Sequence, residues 1–131
     1  MKTYIVVDDD PRMRTLYSIL IKDRDSDAII RSAENGEKAL MLAKEKEQCI
    51  IISDYQMPVM NGIELYRKLK EALPSSTTSF AFVTGSDTSE LQLFTEAEGI
   101  PLLHKPFSTP DFFSLVDELK KRGSKKFALS S

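Results

Sequence analysis

The sequence predicts an α/β domain: a five-stranded, parallel, doubly wound sheet with five helices in a three-layer sandwich. Five short apolar runs recur along the 131 residues, and segments with helical periodicity separate them. The runs are continuously apolar, which is typical of strands that are buried on both faces of a parallel sheet. A β-α order repeated five times favours right-handed crossovers, with helices on both sides of the sheet.

The length and composition indicate one ordinary globular domain. Hydrophobic residues make up 41% of the chain and charged residues 29%. No apolar run approaches the roughly 20 residues that span a bilayer, and Asp8 to Asp10 directly follow the first apolar run, so we expect no signal peptide and no membrane association. The single cysteine, Cys49, cannot form an internal disulfide, so we expect a cytoplasmic protein. A net charge of −2 without a basic stripe argues against direct nucleic-acid binding.

The candidate strands are the five apolar runs, and apolar stripes define the helices between them. The strands are predicted at residues 4–7, 28–30, 49–52, 80–83 and 102–103. The stripes are Met13, Leu16, Tyr17 and Leu20, then Ala39, Leu40 and Ala43, then Leu65, Leu69 and Leu73, and last Phe112, Leu115, Val116 and Leu119. Residues after Gly123 lack periodicity, so we expect a domain at 1–122 and a flexible tail at 123–131.

Helix boundaries are marked by capping residues. Asp10 before Pro11 predicts an N-cap, which explains Asp10 better than a role as a metal ligand. The spacing from Asp87 to Glu90 is that of a capping box. The last helix is predicted to open at Ser108, Thr109 and Pro110, and the fourth to end at Gly99.

Side chains that can carry chemistry follow four of the five predicted strands. They are Asp8 and Asp9 after strand 1, Asp54 after strand 3, Thr84 at the end of strand 4 and Lys105 after strand 5. Open α/β sheets bind ligands outside the carboxyl ends of their strands, where the strand order reverses. For the order 2-1-3-4-5 that point lies between strands 1 and 3. We therefore expect one pocket that holds the three aspartates, flanked by Thr84 and Lys105.

Three crowded carboxylates repel one another unless a cation lies among them. Magnesium suits such a site, because it binds carboxylate oxygens and retains several water molecules. An aspartate that stays ionised beside the metal can attack phosphorus and form an acyl phosphate. Lys105 and the hydroxyl of Thr84 can then contact the phosphoryl oxygens.

Four motifs at these strand ends resemble the signature of response-regulator receiver domains in two-component (histidine–aspartate phosphorelay) signalling. They are Val6-Val7-Asp8-Asp9, residues 54–62 (Asp-Tyr-Gln-Met-Pro-Val-Met-Asn-Gly), Val83-Thr84-Gly85 and Lys105-Pro106-Phe107. The resemblance extends over residues 2–122 and implies a flavodoxin-like fold. It also implies a signalling switch that catalyses only its own phosphorylation and dephosphorylation.

The resemblance implies a role for each residue of the pocket. Asp54 is the phosphoacceptor and also a ligand of Mg2+. Asp9 would bind the metal directly, Asp8 largely through water, and the backbone carbonyl of Gln56 would add a ligand. Thr84 and Lys105 would contact the phosphoryl group, and the peptide bond from Lys105 to Pro106 would be cis.

The resemblance also implies partners and a readout surface. The donor would be a sensor histidine kinase or a histidine phosphotransfer protein, and the output would pass to an effector protein through helix 4, strand 5 and helix 5, around residues 91–99 and 107–119. Phosphorylation-dependent homodimers through this face are common in the resembled family. Leu102 stands where the family usually has an aromatic switch residue, which is a departure from its pattern.

Two other classes of protein use similar residues or the same fold. Phosphatases of the haloacid-dehalogenase kind use an aspartyl phosphate but carry a second acid two residues beyond the nucleophile, where this chain has Gln56. A flavin-binding domain would need a phosphate-binding loop after strand 1, where Asp8, Asp9 and Asp10 would repel a phosphate.

Overall fold

The computed structural model describes residues 2–46, 48–74, 78–86 and 88–122, in which five strands alternate with five helices. The strands are β1 (Thr3–Val7), β2 (Ile29–Ala33), β3 (Ile50–Ser53), β4 (Ser79–Thr84) and β5 (Leu102–His104). The helices are α1 (Pro11–Arg24), α2 (Gly36–Glu45), α3 (Gly62–Ala72), α4 (Ser89–Glu98) and α5 (Thr109–Arg122). No helix in these ranges is both long and apolar enough to cross a bilayer.

All strand pairs are parallel and the sheet has the order β2-β1-β3-β4-β5, which confirms the predicted topology. The carboxyl ends of the central strands lie side by side, since Val7 pairs with Ser53 and Ser53 with Phe82. Thr84 pairs with His104 at the same edge of the sheet. The residues that follow these strands therefore meet at one edge.

Burial on both faces holds for the central strands only. Every residue of β3 and β4 is buried, whereas β2 has exposed positions and Ile29 is 41% exposed. The strand β2 also extends to Ala33, past the predicted end at residue 30. An edge strand has a neighbour on one side only, so its sequence tolerates polar residues such as Arg31 and Ser32.

Two hydrophobic clusters lie on opposite faces of the sheet. Residues of β1 alternate between them: Ile5 and Val7 face the cluster with α2, α3 and α4, whereas Tyr4 and Val6 face the cluster with α1 and α5. Both faces of the sheet are thus covered by helices, which is the expected three-layer arrangement.

The helix stripes agree with the prediction except in α1. All four predicted residues of α5 are buried, but α1 buries Tyr17 and Ile21 and leaves Leu16 39% exposed. The buried face of α1 is therefore rotated about the helix axis relative to the face that the sequence predicts. Its buried face includes Tyr17, whose polar hydroxyl needs a partner in the interior.

The helix caps are mostly those predicted. Asp10 caps α1 by accepting from the N–H of Arg12, and Gly99 ends α4 with a left-handed φ of 68°. The side chain of Ser108 accepts from the N–H of Asp111 in the first turn of α5. The N-cap of α4 is Thr88, one residue later than the predicted capping box, whose first member Asp87 lies outside the described residues. The predicted tail at 123–131 lies outside them as well.

Candidate functional site

The sequence-predicted site residues come together in one open pocket at the carboxyl edge of the sheet. Its lining contains Asp9, Asp54, Gln56, Met57, Pro58, Thr84, Gly85, Ser86 and Lys105. Asp8 lies immediately beneath it at the end of β1, almost fully buried at 1% exposure. The pocket forms because the loops after β1, β3, β4 and β5 all begin at this edge.

Three carboxylates converge at the base of this pocket. Asp8, Asp9 and Asp54 each place an oxygen within 4.8 Å of the other two. Asp8 and Asp54 are buried, whereas Asp9 is exposed at the pocket mouth. A set of hard anionic oxygens, open to solvent on one side, fits Mg2+, which prefers carboxylate ligands and keeps part of its water shell. The arrangement therefore meets the donor requirements of a divalent-cation site.

Lys105 bridges two of these carboxylates. Its Nζ donates to Asp8 Oδ2 at 2.9 Å and to Asp54 Oδ2 at 3.2 Å. Burial opposes the charge on this side chain and is the largest single influence on it, but the two carboxylates together outweigh burial and raise the pKa of Lys105. The ammonium group therefore stays charged and partly offsets the repulsion within the acidic cluster.

Asp8 is held by donors on several sides. Its Oδ1 accepts from the N–H of Asp10 at 2.9 Å, and its Oδ2 accepts from the hydroxyl of Tyr17 at 3.3 Å as well as from Lys105. The guanidinium of Arg14 donates to the backbone carbonyl of Asp8 at 2.7 Å. A buried carboxylate is tolerated when it is paired and hydrogen-bonded in this way.

Asp54 is anchored at both its backbone and its side chain. Its N–H donates to the carbonyl of Val7 at 2.9 Å, which continues the pairing of β3 with β1. Its Oδ1 accepts from the N–H of Tyr55 at 2.7 Å. The carboxylate is therefore fixed in orientation before any ligand arrives, which favours its use as a nucleophile.

Thr84 and Lys105 are joined through the backbone. The N–H of Lys105 donates to the carbonyl of Thr84 at 2.9 Å, and the Thr84 hydroxyl accepts from the N–H of Ser86 at 3.1 Å. The Lys105–Pro106 peptide bond is cis, which confirms that expectation. The two side chains thus border the same pocket from neighbouring strands, and Gln56 lines this pocket as well.

Asp10 caps a helix, as the sequence predicts, and Leu102 packs against the hydrophobic core. Asp10 caps α1, and its carboxylate pairs with the guanidinium of Arg12, whose hydrogen bonds lower the pKa of Asp10. Asp10 is not part of the acidic cluster that the described residues form. Leu102 is partly buried and packs against the hydrophobic cluster beneath α2, α3 and α4.

Three contributors to the site were not identified from the sequence as functional. By sequence alone, Tyr17 belongs to an apolar helix stripe, and no motif assigns a separate role to Arg14 or Tyr55. Tyr17 and Arg14 contact Asp8, and the N–H of Tyr55 contacts Asp54. The available signal was a tyrosine on a helix face that otherwise buries aliphatic residues, since a buried hydroxyl requires a hydrogen-bond partner.

The fold and pocket define an α/β domain with an acidic, lysine-bridged site at the switch point of a doubly wound sheet. The family model described as the response regulator receiver domain matches residues 4–117. The chain belongs to this family and is a receiver domain of two-component response regulators. This membership sets aside the phosphatase and flavin-binding alternatives.

Relatives of this chain include proteins of different length. The sensory transduction protein LytT of Oceanobacillus iheyensis is 30% identical over 127 residues, which cover 96% of this chain and 51% of that protein. The two-component response regulator ARR22 of Arabidopsis thaliana is 31% identical over 117 residues, covering 88% of this chain and 81% of that protein. The chain thus spans about half of one relative and most of the other.

A solved structure with the same fold is the response regulator receiver domain protein from Clostridium thermocellum. It superposes with a TM-score of 0.82 over 95% of this chain and 98% of that chain, at 19% sequence identity. The similarity supports the same five-stranded fold.

Proposed function

We propose that this domain accepts a phosphoryl group on Asp54, with Mg2+, from a phosphohistidine of a sensor histidine kinase or phosphotransfer protein. The observation that supports it best is the bridge from Lys105 Nζ to Asp8 and Asp54 within an acidic cluster. A titratable side chain in a cleft whose pKa is shifted by burial and by specific charge partners, as that of Lys105 is, marks a candidate functional site.

The metal would be held by the carboxylates of Asp8, Asp9 and Asp54 and by the backbone carbonyl of Gln56. When bound, Mg2+ supplies positive charge that neutralises oxygens of the transferred group. Asp9 is the exposed member of the cluster, so it lies where an arriving hydrated cation meets the protein. Asp8 contributes charge from below, with its orientation set by its own hydrogen bonds.

The transfer forms one bond and breaks another. A carboxylate oxygen of Asp54 attacks phosphorus, the bond between phosphorus and the donor imidazole nitrogen breaks, and the electron pair stays on that nitrogen. The product is an acyl phosphate on Asp54 and a histidine ready to take up a proton. Lys105, which already contacts the Asp54 carboxylate, is positioned to pair with a phosphoryl oxygen, and Thr84 can offer its hydroxyl to another.

The consequence of phosphorylation would be a shift between two conformations. The state in which Thr84 and Lys105 both contact the phosphoryl group is stabilised, and the change reaches the surface formed by α4, β5 and α5. We assign the receiver domain to residues 1–122, with effector binding or homodimerisation through that surface. The thiol of Cys49, the only cysteine in the sequence, is buried and forms no disulfide, which fits a cytoplasmic protein.

Intact-mass spectrometry after incubation with acetyl phosphate tests the acceptor. Wild type should gain one phosphoryl group with Mg2+ and none after chelation, and Asp54→Asn should gain none. Asp10→Asn is the matched control, because it changes a neighbouring aspartate that caps α1 and asparagine caps a helix equally well. An adduct that persists in Asp54→Asn, or that forms equally without Mg2+, would contradict the assignment.

A purified phosphotransfer protein, phosphorylated on its histidine, tests the donor class. Loss of label from the histidine and its gain by wild type, but not by Asp54→Asn, is the expected result. Labelling from acetyl phosphate but from none of a panel of phosphohistidine proteins would contradict the proposed donor and leave the acceptor in place.

A further inference from the structure

A buried tyrosine lies directly beneath the acidic cluster. Tyr17 on α1 is fully buried, and its hydroxyl donates to Asp8 Oδ2 at 3.3 Å. The same oxygen accepts from Lys105 Nζ at 2.9 Å, while Oδ1 accepts from the N–H of Asp10 at 2.9 Å. Tyr17 thus supplies one of the donors that determine how the Asp8 carboxylate is oriented.

The ring of Tyr17 is held in place by two phenylalanines. It stacks on Phe112 with centroids 5.8 Å apart and planes 4° apart, and on Phe107 at 6.3 Å and 23°. Phe107 and Phe112 are themselves stacked at 5.3 Å. Phe107 lies two residues after Lys105, so the stack that fixes Tyr17 also packs against the segment that carries the lysine.

Packing alone does not require a tyrosine at this position. The surrounding cluster is formed by aliphatic and aromatic side chains, and phenylalanine would keep the stacking at the same ring position. A buried hydroxyl is unfavourable unless it is hydrogen-bonded, and here its partner is a functional carboxylate. The presence of the hydroxyl therefore indicates that Tyr17 serves to hold the Asp8 carboxylate through a hydrogen bond.

That role becomes larger if Lys105 moves. Lys105 already divides its hydrogen bonds between Asp8 and Asp54, and in the proposed function it also pairs with a phosphoryl oxygen, which weakens its contact with Asp8 Oδ2. Tyr17 does not take part in that exchange, because its ring is held by packing against both Phe107 and Phe112. Its hydroxyl can keep the buried carboxylate of Asp8 oriented toward the cluster in both situations.

We propose that Tyr17 is a positioning residue for Asp8, and that its hydroxyl raises the affinity of the acidic cluster for Mg2+ without taking part in phosphoryl transfer. The proposal rests on the magnesium site of the proposed function. Residues that hydrogen-bond to a metal ligand fix its orientation, and their loss weakens metal binding by about 10-fold to 100-fold.

Tyr17→Phe is the test, because it removes the hydroxyl and keeps the stacked ring. Tyr4→Phe is the matched control: Tyr4 is also fully buried, and its hydroxyl donates to Asp25 Oδ2 at 3.0 Å, away from the acidic cluster. The Mg2+ dissociation constant of each protein is measured by titration calorimetry and by amide chemical shifts, without any phosphodonor. We expect Tyr17→Phe to bind Mg2+ about 10-fold more weakly and Tyr4→Phe to bind like wild type.

Phosphorylation by acetyl phosphate gives a second readout. In Tyr17→Phe the Mg2+ concentration for half-maximal rate should rise about 10-fold, while the rate at saturating Mg2+ stays within about twofold of wild type. A merely structural role would not separate these two quantities.

Three results would overturn the inference. They are an unchanged or tighter Mg2+ affinity in Tyr17→Phe, an equal weakening in Tyr4→Phe, and a rate that falls at saturating Mg2+ with no change in the half-maximal concentration. Failure of the proposed function looks different, since wild type itself would then bind no Mg2+ or gain no phosphoryl group.

Discussion

The hydroxyl of Tyr55 donates a hydrogen bond to Glu90 Oε1 at 2.6 Å, which ties the residue after Asp54 to the first turn of α4. The backbone N–H of the same tyrosine donates to the Asp54 carboxylate. The side-chain hydrogen bond to Glu90 and burial both raise the pKa of Tyr55. The loop that holds Asp54 is thereby connected to α4 without the aromatic residue that the family usually has at the position of Leu102.

The contribution of the hydrogen bond between Tyr55 and Glu90 to stability can be measured with a double-mutant cycle. Tyr55→Phe, Glu90→Ala and the double variant should give a coupling energy of about 1 kcal/mol in urea unfolding, because a part-buried hydrogen bond to a charged group is lost in each single variant. Hydrogen exchange in the first turn of α4 should be faster in Tyr55→Phe. Additive single effects would mean that the contact contributes nothing to stability.

Gly62 and Gly85 differ in the space that surrounds each Cα, so the two glycines can be compared to test packing near the site. A Cβ on Gly62 would lie 2.5 Å from Phe82 Cε1 and 2.7 Å from the carbonyl oxygen of Asp54, whereas a Cβ on Gly85 would meet nothing within 4 Å. We expect Gly62→Ala to lower the free energy of unfolding by about 1–3 kcal/mol, since backbone and ring must shift. Gly85→Ala should stay within about 0.5 kcal/mol of wild type. Equal denaturation midpoints for the two variants would contradict the close packing at Gly62.

Val59 has a backbone conformation that its side chain disfavours. Its φ is 73°, in the left-handed region, and its side chain is 84% exposed, so little packing compensates for the strain. Val59→Asn should raise the free energy of unfolding by about 1 kcal/mol, because asparagine adopts this conformation more readily. Val59→Thr keeps the branched Cβ and should give no such gain. Urea unfolding of both variants measures the two free energies of unfolding. If Val59→Asn is no more stable than Val59→Thr, backbone strain at Val59 does not lower the stability of the protein.

Stability should fall at alkaline pH. Burial raises the pKa of Tyr4, with a further contribution from its hydrogen bond to Asp25, so the folded protein holds this proton more tightly than the unfolded chain. The raised pKa of Lys105 acts in the same direction. The resulting stabilisation is complete below about pH 10, where unfolded tyrosine and lysine are still protonated, and is lost as pH rises through the folded-state values.

Urea unfolding between about pH 8 and 11 measures this dependence. Tyr4→Phe lacks one of the titrating groups, so its free energy of unfolding should fall less steeply with pH than that of wild type. Parallel curves for the two proteins would show that Tyr4 titrates equally in both states.

Asp9 provides the most direct test of metal binding. Its carboxylate belongs to the acidic cluster but is exposed, so Asp9→Ala removes a proposed ligand with little effect on the core. We expect titration calorimetry to detect no Mg2+ binding in this variant. Asp27→Ala, which removes an exposed aspartate outside the cluster, should bind Mg2+ like wild type. Undiminished affinity in Asp9→Ala would refute the ligand assignment.

The strand order and the site residues were predictable because two simple rules coincide in this chain. Continuous apolar runs mark the central strands, and parallel strands gather their carboxyl ends at one edge. Asp8, Asp54 and Thr84 therefore had to meet once the order was known. Prediction was weakest at β2, where an edge strand needs fewer apolar residues, and in α1, where periodicity could not tell which side of the stripe faces the sheet.

Local patterns in the sequence, together with the strand order, were enough to predict the class of fold, the acidic pocket and the residues that border it. The packed structure was needed to show that Tyr17 contacts Asp8, that Lys105 bridges Asp8 and Asp54, and that Tyr55 contacts Glu90. These contacts join different elements of the fold. Their existence depends on the rotation of each helix and the rotamer of each side chain, which packing sets and which no local pattern encodes.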